Sequence, residues 1–478
     1  MSKLDKYKLP NQRNEATRSN DKVEFVSFDM EDSLKELGKG KKYFIRTHGC
    51  QANQRDSEEI AGLLESMGYV SANNQEESDI CIINTCAVRQ GAEEKVYGEV
   101  GALKQIKRKK EDFIIGVCGC MAQESESVKQ LIMKYPQVDI IFGTHNIASL
   151  PKLIKETYDN KETVVEILEG HNNTIIEDAP VTRFAGHKAW VNIMYGCDKF
   201  CTYCIVPYTR GKERSRRKED ILAEVETLKK QGYKEICLLG QNVNAYGNDL
   251  YDDYGFGDLL NDVAKTNIKR IRFVTSHPWN FNDSMIKAMK DNDNVMPYLH
   301  LPLQSGSTRI LNKMNRRYTS EEYKALFDKI RKELPHYSIT TDIIVGFPGE
   351  TEEDFKATLD MVEYCKYDNA YTFIYSPRQG TPAASMEDHT PMKEKEERLQ
   401  RLHDVVNKYS ALSNQKYDGQ IVEVLVDGFS KKNDTVYSGY TKDNKLVNFK
   451  GENINVGDLV NVKVTNAKSF TLDGELVK

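Results

Sequence analysis

No apolar run in this chain approaches the length needed to cross a bilayer, which excludes a membrane-spanning helix. The first 41 residues hold neither an apolar stretch nor an acid-free arginine-rich pattern. They do not read as a secretory or transit peptide and are expected to form a mobile polar extension. An excess of one charge is also missing: 67 Lys and Arg stand against 72 Asp and Glu, a formal net charge of -5. A nucleic-acid partner would therefore have to be met by a local basic patch and not by the field of the whole molecule. No Ser-His-Asp set or carboxylate pair stands out, so there are no catalytic candidates of the ordinary acid–base or nucleophilic kind. Cysteine, by contrast, is present ten times. Without a secretory signal, that points to a reducing cytoplasm and metal ligation, not to a disulfide framework.

The 478 residues suffice for two or three domains, each with its own core. From Lys42 to about 160, apolar runs at 43–46, 80–84 and 113–117 alternate with helical patterns at 57–67 and 92–109. This α/β pattern predicts an N-terminal parallel βαβ domain. A less regular connector spans 161–182. Between 183 and 415, strand patterns at 189–195, 235–239, 270–275, 297–303, 338–345 and 370–375 alternate with helical ones, and a long charged helix from 393 to about 415 closes the region. Six βα units in succession predict a partial (β/α)6 barrel. The remaining residues, 416–478, alternate in short runs separated by Gly419, Gly428, Gly451 and Gly457, the pattern of a small all-β barrel.

Three cysteines fall in Cys197-Asp198-Lys199-Phe200-Cys201-Thr202-Tyr203-Cys204. A closed zinc site or an ordinary ferredoxin cluster takes four ligands, and the nearest further candidates are Cys237 and His187. Three thiolates leave one metal position open to a substrate or cosubstrate. The competing reading is an incomplete zinc knuckle or a set of unrelated core thiols. The loop follows the first barrel strand, so its thiolates are expected at the carboxyl-end face. A second set is dispersed. Cys50, Cys86 and Cys120 each follow a strand of the N-terminal repeat, and parallel strands bring their carboxyl ends to one edge. Convergence there suggests a second cluster; independent buried cysteines are the alternative. Cys81, Cys118, Cys237 and Cys365 lie inside apolar strands or a helix and read as core thiols. Cys120 is preferred to Cys118 because it follows the glycine that ends the strand. His48 reads as a packing neighbour.

C-x3-C-x2-C after strand one of a partial barrel, with Tyr203 before the last cysteine, resembles the radical S-adenosylmethionine (radical SAM) superfamily. That resemblance implies a 4Fe-4S cluster on Cys197, Cys201 and Cys204 and cosubstrate contacts from Tyr203, Gly240, Gln241 and Asn242. It implies further contacts from Asp342, Gly346, Pro348, Gly349 and Glu350. With the N-terminal cysteines and the small β-barrel added, residues 42–478 resemble the methylthiotransferases. The implied cofactors are two 4Fe-4S clusters and S-adenosylmethionine, and the last module is implied to be a TRAM-like RNA-binding β-barrel. Stretches 206–211, 240–247, 275–278 and 300–307 resemble the branch acting on C2 of N6-isopentenyladenosine beside the tRNA anticodon. Sibling branches modify threonylcarbamoyl-adenosine in tRNA or a ribosomal-protein aspartate; a non-catalytic RNA-binding iron-sulfur protein is the alternative of another class. The resemblance also implies a tRNA partner, an electron donor such as flavodoxin or ferredoxin, and a sulfur donor of unknown identity. Arg210, Lys212, Arg214, Arg216 and Arg217 form a basic run expected to contact RNA phosphates. A second basic cluster lies at Lys104, Lys107, Arg108, Lys109 and Lys110. The C-terminal barrel is close to neutral, with nine Lys against nine Asp and Glu from Gln415 onward, so its RNA role comes from resemblance alone.

Overall fold

The computed structural model describes residues 4, 6–17, 22–87, 90–168 and 173–477; parts of the 1–41 extension and of the 161–182 connector lie outside the described residues. The chain forms two compact units. One holds the chain up to Phe184 with Asn192–Phe200 and Cys204–Asp220; the other holds Ala185–Val191, Cys201–Tyr203 and Ile221 onward.

In the first unit, β1 is Glu24–Val26, β2 Lys42–Thr47, β3 Val70–Ser71, β4 Ile80–Thr85, β5 Ile114–Gly119, β6 Ile140–Phe142, β7 Val164–Glu166 and β8 Thr174–Ile176. Six of them make a parallel sheet in the order β3-β2-β4-β5-β6-β7. Strands β4 and β5 are buried at every position, as continuous apolar runs are when helices cover both faces. Alternation then sorts the side chains. Ile80, Ile82 and Cys118 face the core built with helices Gln51–Ser66 and Leu150–Asn160. Cys81, Ile83, Ile115 and Val117 face the core built with helices Gln90–Lys107 and Ser125–Lys134. The sequence pattern showed only β2, β4 and β5, because β3, β6 and β7 are two or three residues long and too short to register a period.

The expected mobile extension requires a correction. Its strand β1 pairs in parallel with β8, and Met30 and Leu34 are buried in the core beside Ile60 and Leu64. Residues 22–41 belong to the folded unit because Phe28, Met30, Leu34 and Leu37 supply an apolar face that average composition conceals.

Strand β9 is Lys188–Asn192, and β10 (Met194–Tyr195) pairs antiparallel with β11 (Arg214–Ser215). In the second unit β12 (Glu235–Leu239), β13 (Arg270–Phe273), β14 (Tyr298–His300), β15 (Ser338–Val345) and β16 (Asn369–Ile374) complete the expected six strands. They form two arcs, β13-β12-β9 and β14-β15-β16, linked by the parallel bridge Ile271↔Val295, the layout of an open (β/α)6 barrel. Local chemistry sets the helix starts: Thr319 with Glu322, and Thr351 with Asp354, form capping boxes for helices Ser320–Glu333 and Glu352–Cys365.

The last five strands, β17 (Ile421–Ser430), β18 (Asn433–Thr441), β19 (Leu446–Lys450), β20 (Leu459–Ala467) and β21 (Leu472–Leu476), close a barrel in the order β17-β18-β19-β21-β20. Val424, Val426, Val447, Phe449, Val462, Val464 and Leu472 fill it. Arg270 at the start of β13, 1% exposed, ties this barrel to the larger one. Its guanidinium donates to Tyr440 O at 2.9 Å, Glu423 O at 3.2 Å and Glu423 Oε1 at 2.9 Å. Arg270→Met is expected to cost roughly 1.5–3 kcal/mol by removing the hydrogen bonds of a charged, buried guanidinium. The urea midpoint checks this, and an unchanged midpoint would show that the contacts add nothing.

Candidate functional site

Thr47 of β2 lies opposite Asn84 of β4, and Thr85 of β4 lies opposite Gly119 of β5. Cys50, Cys86 and Cys120 therefore follow the carboxyl ends of three adjacent strands, the convergence that the spacing predicts. Two close approaches make the turns specific. Gly119 has φ 93°, and a Cβ there would stand 2.3 Å from Thr85 O. A Cβ on Gly49 would stand 2.7 Å from Cys86 Cβ. Only glycine meets both demands. A buried amide network staples the strands to the following helix. Asn53 Nδ2 donates to Asn84 Oδ1 at 3.1 Å and Thr85 O at 3.3 Å, while Asn84 Nδ2 donates to Asn53 O at 2.8 Å and Ser57 Oγ at 2.9 Å. His48 is taken up by Glu99, Nε2 to Oε2 at 2.9 Å.

Arg210 belongs to this site and not to an RNA surface. Its guanidinium is buried; Nε donates to Cys120 Sγ at 3.3 Å, and Nη1 and Nη2 reach the two Asp56 oxygens at 3.2 and 2.5 Å. On its other side it borders a cavity of about 110 Å³ lined also by Asp56, Glu59, His145, Tyr195 and Arg214. Burial works against the Arg210 charge, yet Asp56, Cys120 and Cys50 hold the guanidinium protonated well above its ordinary range. A hydrogen bond from Cys86, followed by the Arg210 charge, brings the Cys50 thiol down to about 6 against its burial; its place just before the helix Gln51–Ser66 acts in the same direction. Burial raises Cys120, and Arg210 opposes that rise. Burial alone dominates at Cys81, pushed up to about 12, and at Cys118, pushed well above its ordinary value, so both are core thiols as read.

The two groups separate in a test. In iron-stripped protein, Cys50 is expected to alkylate with iodoacetamide at pH 7 while Cys81 and Cys118 stay unmodified. Because its pKa is depressed, the reactive thiolate is present above about pH 6 and lost below it. Peptide mass spectrometry across pH 5–8 follows the rate, and an ordinary thiol profile at Cys50 would contradict the site.

The C-x3-C-x2-C loop is divided between the units, Cys197 and Cys204 with the first and Cys201 with the second. In the first, Cys197 N donates to Gly211 O at 3.1 Å. Asp198 and Glu213 each accept the other's backbone N–H, at 3.2 and 3.3 Å. In the second, Thr202 N donates to Met314 O at 3.0 Å. Arg316, buried and missed in the sequence, donates to Cys201 Sγ at 3.4 Å, to Tyr203 Oη at 3.5 Å and to Pro302 O at 3.1 Å. Each three-cysteine set thus has one buried arginine on one sulfur. Among the described residues no three Cys, His, Asp or Glu stand as the ligand set of a single metal ion; cluster ligands bind separate irons and stand further apart. The N-terminal donor set, three thiols with a compensating cation, fits a cluster, and Cys201 carries the same kind of cation.

Of the residues expected to contact the cosubstrate, Tyr203 lies beside Arg316 and the others lie on or after barrel strands β12 and β15. Gly240 follows β12, and its carbonyl accepts from Thr275 Oγ1; Asn242 is buried before the turn Val243–Ala245. Asp342 meets His300 Nε2 at 3.2 Å. Gly346 and Gly349 take φ of 69° and 78° in the turn after β15, with Pro348 between them. Glu350 is corrected: its carboxylate accepts Gly346 N–H at 2.8 Å and Arg398 at 3.0 Å, holding the turn from inside. The sequence reading missed Asn244, Ser276 and Gln304. Asn244 Oδ1, Ser276 Oγ and Gln304 Oε1 are buried without a hydrogen-bond partner, after β12, β13 and β14. Unpaired buried polar atoms cost about 1–3 kcal/mol each. Three of them at one end of consecutive strands fit a polar ligand such as the amino-acid and ribose groups of S-adenosylmethionine.

The remaining basic residues are corrected as a group. Lys212, Arg214 and Arg216 are buried; Arg216 is held by Glu177 at 2.6 Å and Asn192 O at 2.7 Å. Arg217 reaches solvent but pairs with Asp220 at 2.6 Å and lies over Phe25. Charge density along the chain does not reveal that Asp56 and Glu177 fold against it. At the end of helix Gln90–Lys107 and in the turn past it, Lys107 pairs with Asp139 and Lys110 with Asp79, leaving Lys104, Arg108 and Lys109 exposed.

Family models match in three places: the radical SAM superfamily over residues 191–362, uncharacterized protein family UPF0004 over 42–143, and the TRAM domain over 415–477. The tRNA-2-methylthio-N(6)-dimethylallyladenosine synthase of Bacillus cytotoxicus is 52% identical over 474 residues, covering 99% of this chain and 93% of its own. The Oceanobacillus iheyensis protein of that name is 53% identical over 463 residues, 96% and 89% of the two chains. The Bacillus subtilis one is 52% identical over 451 residues, 94% and 88%. Among solved structures, the radical S-adenosylmethionine methyltransferase TsrM of Kitasatospora setae aligns with TM-score 0.54 over 72% of this chain and 77% of its own, at 14% identity, a likeness of fold.

Proposed function

This chain belongs to the bacterial tRNA-2-methylthio-N(6)-dimethylallyladenosine synthases, and from that premise we infer that it adds a methylthio group to C2 of N6-isopentenyladenosine next to the tRNA anticodon. The observation that carries the reading is identity of half the residues over nearly the whole of both chains, spanning both cysteine sets and the C-terminal barrel. When bound, two 4Fe-4S clusters and S-adenosylmethionine supply the methyl group, the sulfur carrier and a radical able to take hydrogen from C2. A radical is required because that C–H is not acidic enough for a side-chain base, in keeping with a sequence in which no Ser-His-Asp set or carboxylate pair stands out.

The residues divide the work. Cys197, Cys201 and Cys204 would hold the radical-generating cluster, with Arg316 fixing Cys201 and Tyr203. Cys50, Cys86 and Cys120 would hold the other, with Arg210 fixing Cys120. Gly240, Asn242, Asn244, Ser276 and Gln304 would orient the cosubstrate, and Asp342 and the turn Gly346–Gly349 would close its nucleoside side. We assign 42–160 to the N-terminal cluster domain, 183–415 to the radical core and 416–478 to the tRNA-binding barrel. An electron donor such as flavodoxin or ferredoxin and a separate sulfur donor complete the reaction. No described helix is long and apolar enough to cross a membrane, and we place the enzyme in the cytoplasm with its tRNA.

Reconstituted holoenzyme given S-adenosylmethionine, reductant and an anticodon stem-loop is expected to methylthiolate the RNA only when it carries isopentenyladenosine. Product on threonylcarbamoyl-adenosine instead would move the chain to the sibling activity.

A further inference from the structure

Arg316 and Arg317 are neighbours with opposite fates. Arg316 is buried against Cys201 and Pro302, whereas Arg317 is exposed with its backbone in the left-handed region, φ 57°. Asn315 shares that conformation, φ 56°. A strained pair on either side of a residue that touches a cluster thiol is a feature the surrounding fold must enforce. Its consequence is to turn the Arg317 guanidinium outward, where it stacks on the indole of Trp279, 5.0 Å from the ring centroid.

Trp279 is 45% exposed, yet its turn is anchored. Thr275, a β-branched residue at φ 66°, bonds Gly240 O. His277 O accepts Asn244 Nδ2 at 3.3 Å, and His277 Nδ1 accepts Trp279 N–H at 3.3 Å. The His277 ring also meets Tyr318 edge-on at 6.0 Å. The loop after β13 and the turn between helices Thr308–Lys313 and Ser320–Glu333 are thus zipped by two rungs, His277 with Tyr318 and Trp279 with Arg317, and the second rung faces water.

We propose that Trp279 and Arg317 form a stacking platform for an unpaired base of the tRNA anticodon loop that flanks the modified adenosine. The proposal rests on the tRNA reading above. Three observations favour RNA as the occupant. An indole under a guanidinium offers a flat cationic surface, which stacks on any base and attracts its phosphate. The platform is one residue removed from the Cys201 contact, so a base held there belongs to a nucleotide near the reacting one. Among the described residues, Trp279 is the one exposed large apolar side chain between Phe184 and Tyr364. A single ring is too small for a protein interface but matches one base.

The test uses reconstituted holoprotein and an anticodon stem-loop carrying isopentenyladenosine. Trp279→Ala is expected to weaken filter binding about ten-fold, and Trp279→Phe to restore most of it. Arg317→Gln is expected to weaken binding and lower the salt slope by about one. In Trp190→Phe protein, the remaining indole fluorescence is expected to be quenched as RNA saturates. If the unaltered enzyme methylthiolates this RNA while Trp279→Ala binds it unchanged, the platform is wrong and the function stands. If Trp279→Ala instead slows reduction by flavodoxin with RNA affinity intact, the surface serves a protein and the proposal fails. If the unaltered enzyme binds the stem-loop but never methylthiolates it, the functional reading fails and the proposal falls with it.

Discussion

Replacing Cys197, Cys201 and Cys204 together with Ala is expected to abolish 5′-deoxyadenosine formation while about four irons per chain remain, one cluster's complement. The retained iron follows from the N-terminal set having its own sheet edge, its own amide network and its own arginine. The reciprocal triple variant at Cys50, Cys86 and Cys120 is expected to keep S-adenosylmethionine cleavage and to form no methylthiolated RNA. Iron analysis with nucleoside chromatography reads both. Loss of all iron in the first variant would show that the sites depend on one another, and undiminished methylthiolation in the second would remove the N-terminal assignment.

The second large effect is at Arg210. Arg210→Met leaves Asp56 as a buried, unpaired carboxylate, and breaking such a pair costs about 3–5 kcal/mol. Arg210→Met with Asp56→Asn is expected to recover most of that stability. Recovery of the fold does not restore the charge beside Cys120. A cation favours the more negative, reduced cluster, so its removal is expected to shift the midpoint potential of the N-terminal cluster to more negative values. Arg210→Lys is expected to fall between the two. An EPR-monitored redox titration of the double variant against Asp56→Asn alone, which lacks the same carboxylate, decides the matter: equal potentials would leave Arg210 only a packing role.

Much of the fold can be read from local pattern. Strands β12 and β15 begin and end where their apolar runs indicate, because each is long enough to show its period. Both cysteine sets are legible for a different reason. One is compact in sequence, and the other sits at equivalent points of a repeat whose topology brings them together. What is not legible is pairing at a distance. The run Arg210–Arg217 looks like a phosphate patch until Asp56 and Glu177, more than thirty residues upstream, are folded against it. Arg316 gave no signal, since an arginine in a short loop between two helices has no period. Asn244, Ser276 and Gln304 stand out only once burial shows their polar atoms to be unpartnered.

The most direct test of the central claim is mass spectrometry of tRNA nucleosides from a strain lacking this protein. 2-Methylthio-N6-isopentenyladenosine is expected to disappear and N6-isopentenyladenosine to accumulate in its place, with both restored by the intact protein. Unchanged 2-methylthio-N6-isopentenyladenosine, or loss of the methylthio group from threonylcarbamoyl-adenosine instead, would contradict it.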